Sequence, residues 1–344
     1  MGRMNSAQKH LNLPAWNPQA PKSRAAFQEV WYLKVNDAPN QRALWLRLTL
    51  LISSNGFRRI AETWAVYTQR HAGKDPTRLA IRQTHDIAAF VPTENGVRIG
   101  DSELNATTCR GQITSKGNSI EWNLALQPRE DVHYDLVPPS LKKTRLVRNS
   151  IITVQGDLNV TGTCKINGEV FTFERAFGMQ GHQSGPRCGH SWVWGHCNLF
   201  ETEQGKAAPL IFEGISGRGR LIGGLPTPKF SSLYFFYQGK AYSFNSIRDA
   251  VRLRSKHSLT EWNFQADRGD LSFRGQAKAE HKDFAGLTLE DTDGSLFYNA
   301  NSNLSNMRIH VYRKGKLESA FYANRTGTLE LTSRKKNPYV PLLL

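Results

Sequence analysis

The sequence is poor in helical and membrane-spanning patterns. Almost no stretch places apolar residues at the i, i+3, i+4, i+7 spacing of an amphipathic helix, and no segment is apolar over the length of a bilayer span. Residues 1–26 contain no acidic residue, but they also lack the apolar run of a secretory signal. We therefore expect little helix and a cytoplasmic protein.

Cysteine is also scarce. The chain has 344 residues and four cysteines, none of them in a CxxC pair: Cys109, Cys164, Cys188 and Cys197. A chain of this length can bury a sizeable core without disulfides, and it is long enough for two domains. We expect reduced thiols.

Motifs for nucleotide binding and common catalysis are absent. The sequence contains no GxxxxGK[ST], no GxGxxG after a strand, no GxSxG and no HExxH. The absence of these motifs argues against a nucleotide-dependent enzyme and against the common classes of hydrolase. Any catalysis is expected to need no cofactor.

Acidic residues are outnumbered by basic ones, which gives a formal net charge of +16. The positive charge is spread thinly, and the alternation of Arg252, Arg254 and Lys256 indicates the solvated face of a strand. Since no recognition motif accompanies the charge, we expect no nucleic-acid partner and leave open a peripheral contact with an anionic membrane surface. The start Met1–Ser6 fits the short myristoylation pattern, but a poorly ordered arm over residues 1–26 is the expected structure.

Short strands dominate the rest of the chain. The run Ala43–Ile52 alternates cleanly, with leucines on one face and Trp45, Arg47 and Thr49 on the other. Similar runs bounded by turn residues recur to the end of the chain, and a Gly-rich loop over Gly178–Gly189 separates two series of them. The predicted fold is all-β: two lipocalin-like antiparallel β-barrels packed together with little helix, over residues 27–180 and 181–344. A faint repeat, Ser119–Leu124 and Leu259–Phe264, is compatible with two related halves.

The segment Cys188–Phe200 carries the strongest functional signal. As a strand, it places two tryptophans and two histidines on one face, together with Asn198. Leaving so much aromatic surface in water would lose several kcal/mol of the free energy that its burial contributes to folding. This face is therefore expected to line a barrel lumen around an apolar ligand, or else to belong to the ordinary core. His190 and His196 lie about 20 Å apart along a regular strand and cannot share one ion, and no metal site is expected.

Three acids in apolar or aromatic strands are candidates for acid chemistry: Glu29, Glu62 and Glu213. Each could instead point outward from an alternating strand. Trp45 and Arg47 share a face and could hold an anionic or phenolic head group, or Arg47 could simply lie at the surface.

Several segments together resemble the tocopherol cyclase family and, more distantly, the lipocalin-like carotenoid hydratase group. They are Gln28–Val35, Ser191–Glu201, Tyr237–Phe244 and, more weakly, Leu304–Val311. The resemblance implies two calycin-type barrels and an isoprenoid or prenylated-aromatic ligand that is cyclised or hydrated by protonating a double bond. The family's Glu-Lys-Asn-Trp-Gly segment is replaced here by Met179–Gly185; if that segment bears the acid, this chain binds without cyclising.

We therefore predict a barrel protein that binds a hydrophobic ligand and cyclises, hydrates or isomerises it by acid/base chemistry; the alternative is a non-catalytic carrier or storage protein. The candidate catalytic residues are Glu29, His190 and His196. The candidate ligand-binding residues are Trp31, Trp45, Arg47, Trp64, Trp192, Trp194, Asn198 and Glu213.

Overall fold

The computed structural model describes residues 10–20, 25–138, 142, 148–220 and 225–344. Within these residues the chain is almost entirely antiparallel β-sheet. The strands of the first sheet are β1 Phe27–Asp37, β2 Arg42–Ile52, β3 Arg59–Gln69, β4 Thr77–Asp86, β5 Phe90–Thr93, β6 Gly96–Ile99, β7 Ser102–Asn105, β8 Thr108–Ser115, β9 Asn118–Pro128, β10 Tyr134–Asp135, β11 Ser150–Ile166 and β12 Glu169–Gly185.

The second sheet begins after residue 190. Its strands are β13 Ser191–Cys197, β14 Leu210–Arg218, β15 Phe230–Tyr237, β16 Lys240–Phe244, β17 Arg254–His257, β18 Glu261–Arg268, β19 Leu271–Lys278, β20 Ala285–Glu290, β21 Leu296–Arg313 and β22 Lys316–Ser333. A short helix, α1 Ile247–Arg252, precedes β17, and 3-10 turns cover Ile87–Ala89 and His281–Asp283. No helix among the described residues is both long and apolar enough to cross a bilayer.

The two sheets share one strand order, which confirms an all-β fold with two related sheets. The first runs β4-β3-β2-β1-β12-β11-β9-β8, and the second runs β16-β15-β14-β13-β22-β21-β19-β18. In each sheet the last long hairpin therefore returns to pair with the first strand, so β1 and β13 occupy equivalent places. The repeated Glu-Trp-Asn does not mark this equivalence, because Trp122 lies on β9 and Trp262 on β18.

Each barrel has its own apolar interior. In the first, the leucines of β2 face inward with Trp31 of β1 and Trp122 of β9, which confirms the alternation predicted for Ala43–Ile52. The second is filled by stacked aromatic rings: the centroids of Phe212 and Phe264 are 4.4 Å apart, and those of Phe235 and Phe273 are 4.1 Å apart. Such contacts make its interior a packed aromatic core.

Three local predictions are wrong. Gly178–Gly189 was expected to be a loop, but β12 continues to Gly185, because pairing with β1 and β11 outweighs the weak strand propensity of glycine. The sequence predicts separate strands over Asn149–Val160 and Thr161–Phe173, but Ser150–Ile166 and Glu169–Gly185 pair as one long hairpin that turns at Asn167-Gly168, with positive φ at both residues. The alternation of Arg252, Arg254 and Lys256 predicts one strand, but Arg252 ends α1, which the capping box of Ser246 and Asp249 starts, and β17 begins only at Arg254.

The N-terminal segment 10–20 packs against one end of the first barrel. Its Asn12 and Trp16 are buried, and the Asn12 carbonyl accepts a hydrogen bond from the indole of Trp31 at 2.9 Å. The myristoylation pattern and the rest of the proposed poorly ordered arm, residues 1–9 and 21–24, lie outside the described residues, as do residues 139–140 of the Pro-containing connection.

Candidate functional site

The predicted strand is confirmed over Ser191–Cys197, while Cys188, His190, Asn198 and Phe200 lie outside it. The direction of its bulky face is not the expected one. Val193 and Cys197 point into the second barrel's core, while Trp194 packs in a different apolar cluster, which residues of both sheets build. The small side of β13 faces inward because the lumen is already full: a Cβ on Gly195 would lie 3.2 Å from the ring of Trp262. The bulky face therefore lies between the two barrels.

The outer face of the first barrel completes this interface. Tyr32 and Lys34 project from β1, on the opposite side from its core residues, and the rings of Tyr32 and Trp194 meet edge to face at 5.8 Å. Trp45 from β2 and Trp64 from β3 lie in the same cluster. The equivalent strands β1 and β13 thus pack face to face.

Exposure falls along the bulky face of β13. Trp192 is half-buried, Trp194 is 5% exposed and His196 is fully buried. The interface is therefore closest to solvent at the Trp192 end and closed at the His196 end.

Glu213 of β14 is the buried acid of this interface. Its Oε1 accepts a hydrogen bond from the Trp194 indole at 2.9 Å, and its Oε2 accepts one from the Thr153 hydroxyl at 2.7 Å. Burial raises the pKa of this carboxyl, although its hydrogen bonds oppose the shift. Raised pKa values are typical of carboxyl groups that act as proton donors near neutral pH.

Two phenols lie next to this acid. Tyr134 stacks on Tyr234 with centroids 3.8 Å apart, and its buried hydroxyl lies beside the Glu213 carboxyl group. Burial and the negative charge of Glu213 raise the pKa of both Tyr134 and Tyr32. Both phenols are therefore held neutral around the carboxyl group.

Arg47 is the buried cation nearer the open end. It is 5% exposed, its Nε donates to the Thr49 hydroxyl at 2.9 Å, and its guanidinium lies 5.4 Å from the ring centroid of Trp64. Burial lowers its pKa, while the charge of Glu62 partly counteracts this effect. No carboxylate among the described residues forms an ion pair with Arg47, since Glu62 is held by the Trp64 indole at 3.1 Å.

Lys34 and His196 form a second polar pair at the closed end. Lys34 Nζ lies 3.1 Å from His196 Nδ1, and His196 Nε2 lies 2.9 Å from the carbonyl oxygen of Gly156. The carbonyl can only accept, so Nε2 carries the proton and Nδ1 accepts from the lysine. Burial lowers the pKa of Lys34 to about 8 and lowers that of His196 as well.

The three candidate catalytic residues are not brought together. Glu29 lies inside the first barrel, where it accepts hydrogen bonds from the backbone N–H groups of Ala15 and Trp16 and contacts His182 at 2.8 Å. His190 lies half-exposed near the open end, and burial with nearby arginines lowers its pKa.

The candidate ligand-binding residues also lie in different places, some inside the first barrel and others between the two barrels. Trp31 is inside the first barrel, stacked on His182 with centroids 4.9 Å apart. Asn198 ties the barrels together by donating to Asp157 and to the Gly178 carbonyl, both at 2.9 Å. Those that meet at the interface are Trp45, Arg47, Trp64, Trp192, Trp194 and Glu213.

The histidines and cysteines that lie close together in sequence between His182 and Cys197 do not all meet in the fold. Cys197 belongs to the second core and His182 to the first barrel. Over the described residues, no three His, Cys, Asp or Glu side chains are grouped as ion ligands would be.

Solved structures with the same architecture exist. The chain aligns with an AttH-like protein of Nitrosomonas europaea (TM-score 0.50, 12% identity, 94% of this chain and 99% of the other) and with CghA bound to Sch210972 (0.54, 9%, 90% and 89%). It also aligns with kievitone hydratase of Nectria haematococca (0.51, 8%, 94% and 94%). The chain shares the fold of these proteins. No family model and no curated protein matches the sequence, so the tocopherol cyclase resemblance stays a prediction.

Sequence reasoning missed Tyr32, Lys34 and Thr153. A signal for the first two was present: the run Val30–Val35 has no polar alternation, which is typical of a strand buried on both faces. Thr153 carried no such signal, because it meets Glu213 across the interface from 60 residues away in sequence.

Proposed function

We propose that the protein binds a largely apolar small molecule with an anionic or phenolic head group between its two barrels and protonates it. The observation that carries the proposal is the cluster of indoles between the barrels, in which a buried arginine lies against Trp64 and a buried acid of raised pKa accepts a hydrogen bond from Trp194. Apolar side chains with a few fixed polar groups are the usual lining of a small-molecule site.

The head group is assigned to Arg47. A buried guanidinium without an anionic partner is costly, and a ligand carboxylate or phenolate would satisfy its remaining N–H groups. Trp45 and Trp64 flank it in the interface cluster and supply the adjoining apolar contact. The ligand enters from the Trp192 end, where the exposure is greatest.

The chemistry is assigned to Glu213. In its protonated form the carboxyl transfers a proton to one carbon of a ligand double bond, and the carbocation at the other carbon is captured by water or by a hydroxyl of the ligand. The oxygen that has bonded to the carbocation then gives up its extra proton to the Glu213 carboxylate. The carboxyl group is thereby restored after either hydration or cyclisation. The water-poor surroundings of Trp194 and Tyr32 suit such a demanding step.

The structural neighbours support this class of function. One is named as a hydratase, and another was solved with the small molecule Sch210972. Identities of 8% and 9% carry the fold alone, so the identity of the ligand is proposed here from the sequence resemblance: an isoprenoid or a prenylated aromatic compound. A cytoplasmic or membrane-peripheral location is proposed with it.

The test is turnover of prenylated quinols and polyenes by two variants. Glu213→Gln keeps the shape and should abolish product formation while binding persists. Arg47→Met should weaken binding of ligands with an anionic head about tenfold to a hundredfold, because a hydrogen bond to a charged group contributes roughly 1.5–3 kcal/mol. Glu103→Gln, on the outer face of the first barrel, is the matched control.

Unchanged turnover in Glu213→Gln would remove the acid assignment, and unchanged affinity in Arg47→Met would remove the head-group assignment.

A non-catalytic carrier is the second candidate. It is favoured by the fact that both oxygens of Glu213 already accept hydrogen bonds and the residue is only 1% exposed. A carrier would retain lipid through gentle purification, bind it equally well in Glu213→Gln, and convert none of the compounds offered.

A further inference from the structure

The second barrel presents a basic outer face on the side away from its aromatic core. Four strands contribute to it in the order β17-β18-β19-β21, and their outward residues align in two cross-strand rows. One row is Arg254, Gln265, Arg274 and His310; the other is Lys256, Asn263, Gln276 and Arg308. Since neighbouring strands are about 4.8 Å apart, four cations lie within a patch about 14 Å wide.

These cations have no acidic partners. Arg254, Lys256, Arg274 and Arg308 are exposed, and none of them forms an ion pair with a described residue. The neutral amides between them separate like charges that would otherwise face each other across strands. Some exposed arginines elsewhere are paired, as Arg110 is with Glu103 at 2.9 Å, and others such as Arg98 and Arg175 form no ion pair with a described residue. This face differs in holding four cations close together.

Two acids border this face on the outward side of β18. Glu261 accepts a hydrogen bond from the Gln276 amide at 2.7 Å, and Asp267 accepts one from Gln265 at 2.9 Å. A hydrogen bond from Asn263 lowers the Glu261 pKa, and the positive charges of Lys278 and Arg308 help to lower it. The groove between these acids is lined by the two rows together with Lys229, and none of its lining residues is acidic. The patch therefore has an excess of positive charge, with one acid near each end of β18.

We propose that this face docks on an anionic phospholipid bilayer. The argument is charge complementarity: each lysine or arginine near such a membrane contributes about 1 kcal/mol of attraction, a factor of about five in the partition coefficient. Leu259, 45% exposed in the turn between β17 and β18, adds an apolar contact at the edge of the patch.

A bilayer suits the face better than a nucleic acid. Single-stranded nucleic acids are usually bound with bases stacked on exposed aromatic side chains. Of the two ring-bearing residues that line the groove, Phe264 is buried in the barrel core and His310 is half-buried. On the same outward side, Tyr312 lies under the Arg274 guanidinium, which is 4.4 Å from the ring centroid, and Tyr322 is 36% exposed beside Arg308. The face thus offers mainly charge and hydrogen-bonding amides, with few rings free for base stacking.

The test is co-sedimentation of the full chain with vesicles of phosphatidylcholine alone and with added phosphatidylglycerol. The wild type should bind only the anionic vesicles, and binding should weaken as salt increases. A quadruple variant, Arg254→Gln, Lys256→Gln, Arg274→Gln and Arg308→Gln, should lower the partition coefficient by more than a hundredfold.

The matched control neutralises four exposed cations of the first barrel: Arg98→Gln, Lys116→Gln, Lys165→Gln and Arg175→Gln. It has the same net charge as the quadruple variant and should keep most of the binding. Equal losses in both variants would show a diffuse effect of net charge and overturn the assignment to this face.

Two results would overturn the membrane proposal. One is that the wild type does not bind anionic vesicles. The other is that the wild type binds a single-stranded oligonucleotide and that only the quadruple variant loses this binding. None of these outcomes depends on the ligand site between the barrels.

Discussion

Replacing Lys34 with methionine removes a buried ammonium group that forms no ion pair with a carboxylate of the described residues. Its Nζ lies 3.1 Å from His196 Nδ1, 3.3 Å from the His196 carbonyl oxygen and 3.4 Å from the Thr326 carbonyl oxygen. Burial lowers the pKa of this lysine from 10.5 to about 8. The charged form is therefore less stable in the folded protein than in the unfolded chain.

The lowered pKa fixes the sign of the pH dependence. Below pH 8 both states hold the proton, and the folded state bears the full cost of the buried charge. Between pH 8 and 10.5 the folded protein releases the proton while the unfolded chain retains it, so wild-type stability rises with pH. Relative to Lys34→Met, the free energy of unfolding of the wild type should increase by about 2.5 kcal/mol between pH 7 and pH 10.

Urea unfolding of both proteins at several pH values measures this difference, because titrations common to both cancel. Lys116→Met, at an exposed turn, reports the effect of losing a lysine charge in water. An NMR titration of the Lys34 side chain should give a midpoint near 8. A stability difference that stays flat from pH 7 to pH 10 would refute the reasoning, since it would show that the ammonium is not destabilised by burial.

Three further substitutions test the packing. Gly181→Ala should destabilise the protein by about 1–3 kcal/mol, because the new Cβ would overlap the ring of Tyr32; an unchanged melting temperature would contradict the close approach of these strands. Glu29→Gln should cost about 1–3 kcal/mol and speed proteolysis of the N-terminal segment, since an amide cannot accept all the hydrogen bonds from Ala15, Trp16 and His182; protection equal to the wild type would argue against that docking. Trp262→Ala should cost about 3–5 kcal/mol in thermal unfolding, and a smaller loss would mean that the aromatic core can collapse around the gap.

Local periodicity in the sequence predicted much of the fold. Alternation in Ala43–Ile52 correctly separated the leucines from Trp45 and Arg47, because successive strand residues point to opposite faces whatever the strand packs against. The long hairpin at Asn167-Gly168 was missed because the irregular, Gly-rich β12 weakens that same pattern. Strand content and an all-β fold were thus readable from the residues.

The sequence by itself determined that Trp192, Trp194 and His196 share one face of a strand, together with the residue types available for binding and acid chemistry. Only the tertiary structure decided where that face points, since alternation distinguishes two sides of a strand but does not say which is the interior of its own barrel. The aromatic rings that fill the second lumen are distant in sequence, and they turn the small side of β13 inward and the large side toward Tyr32 and Lys34. Contacts between two sheets depend on how the side chains of both sheets pack together. The local alternation of residues along one strand does not predict these contacts.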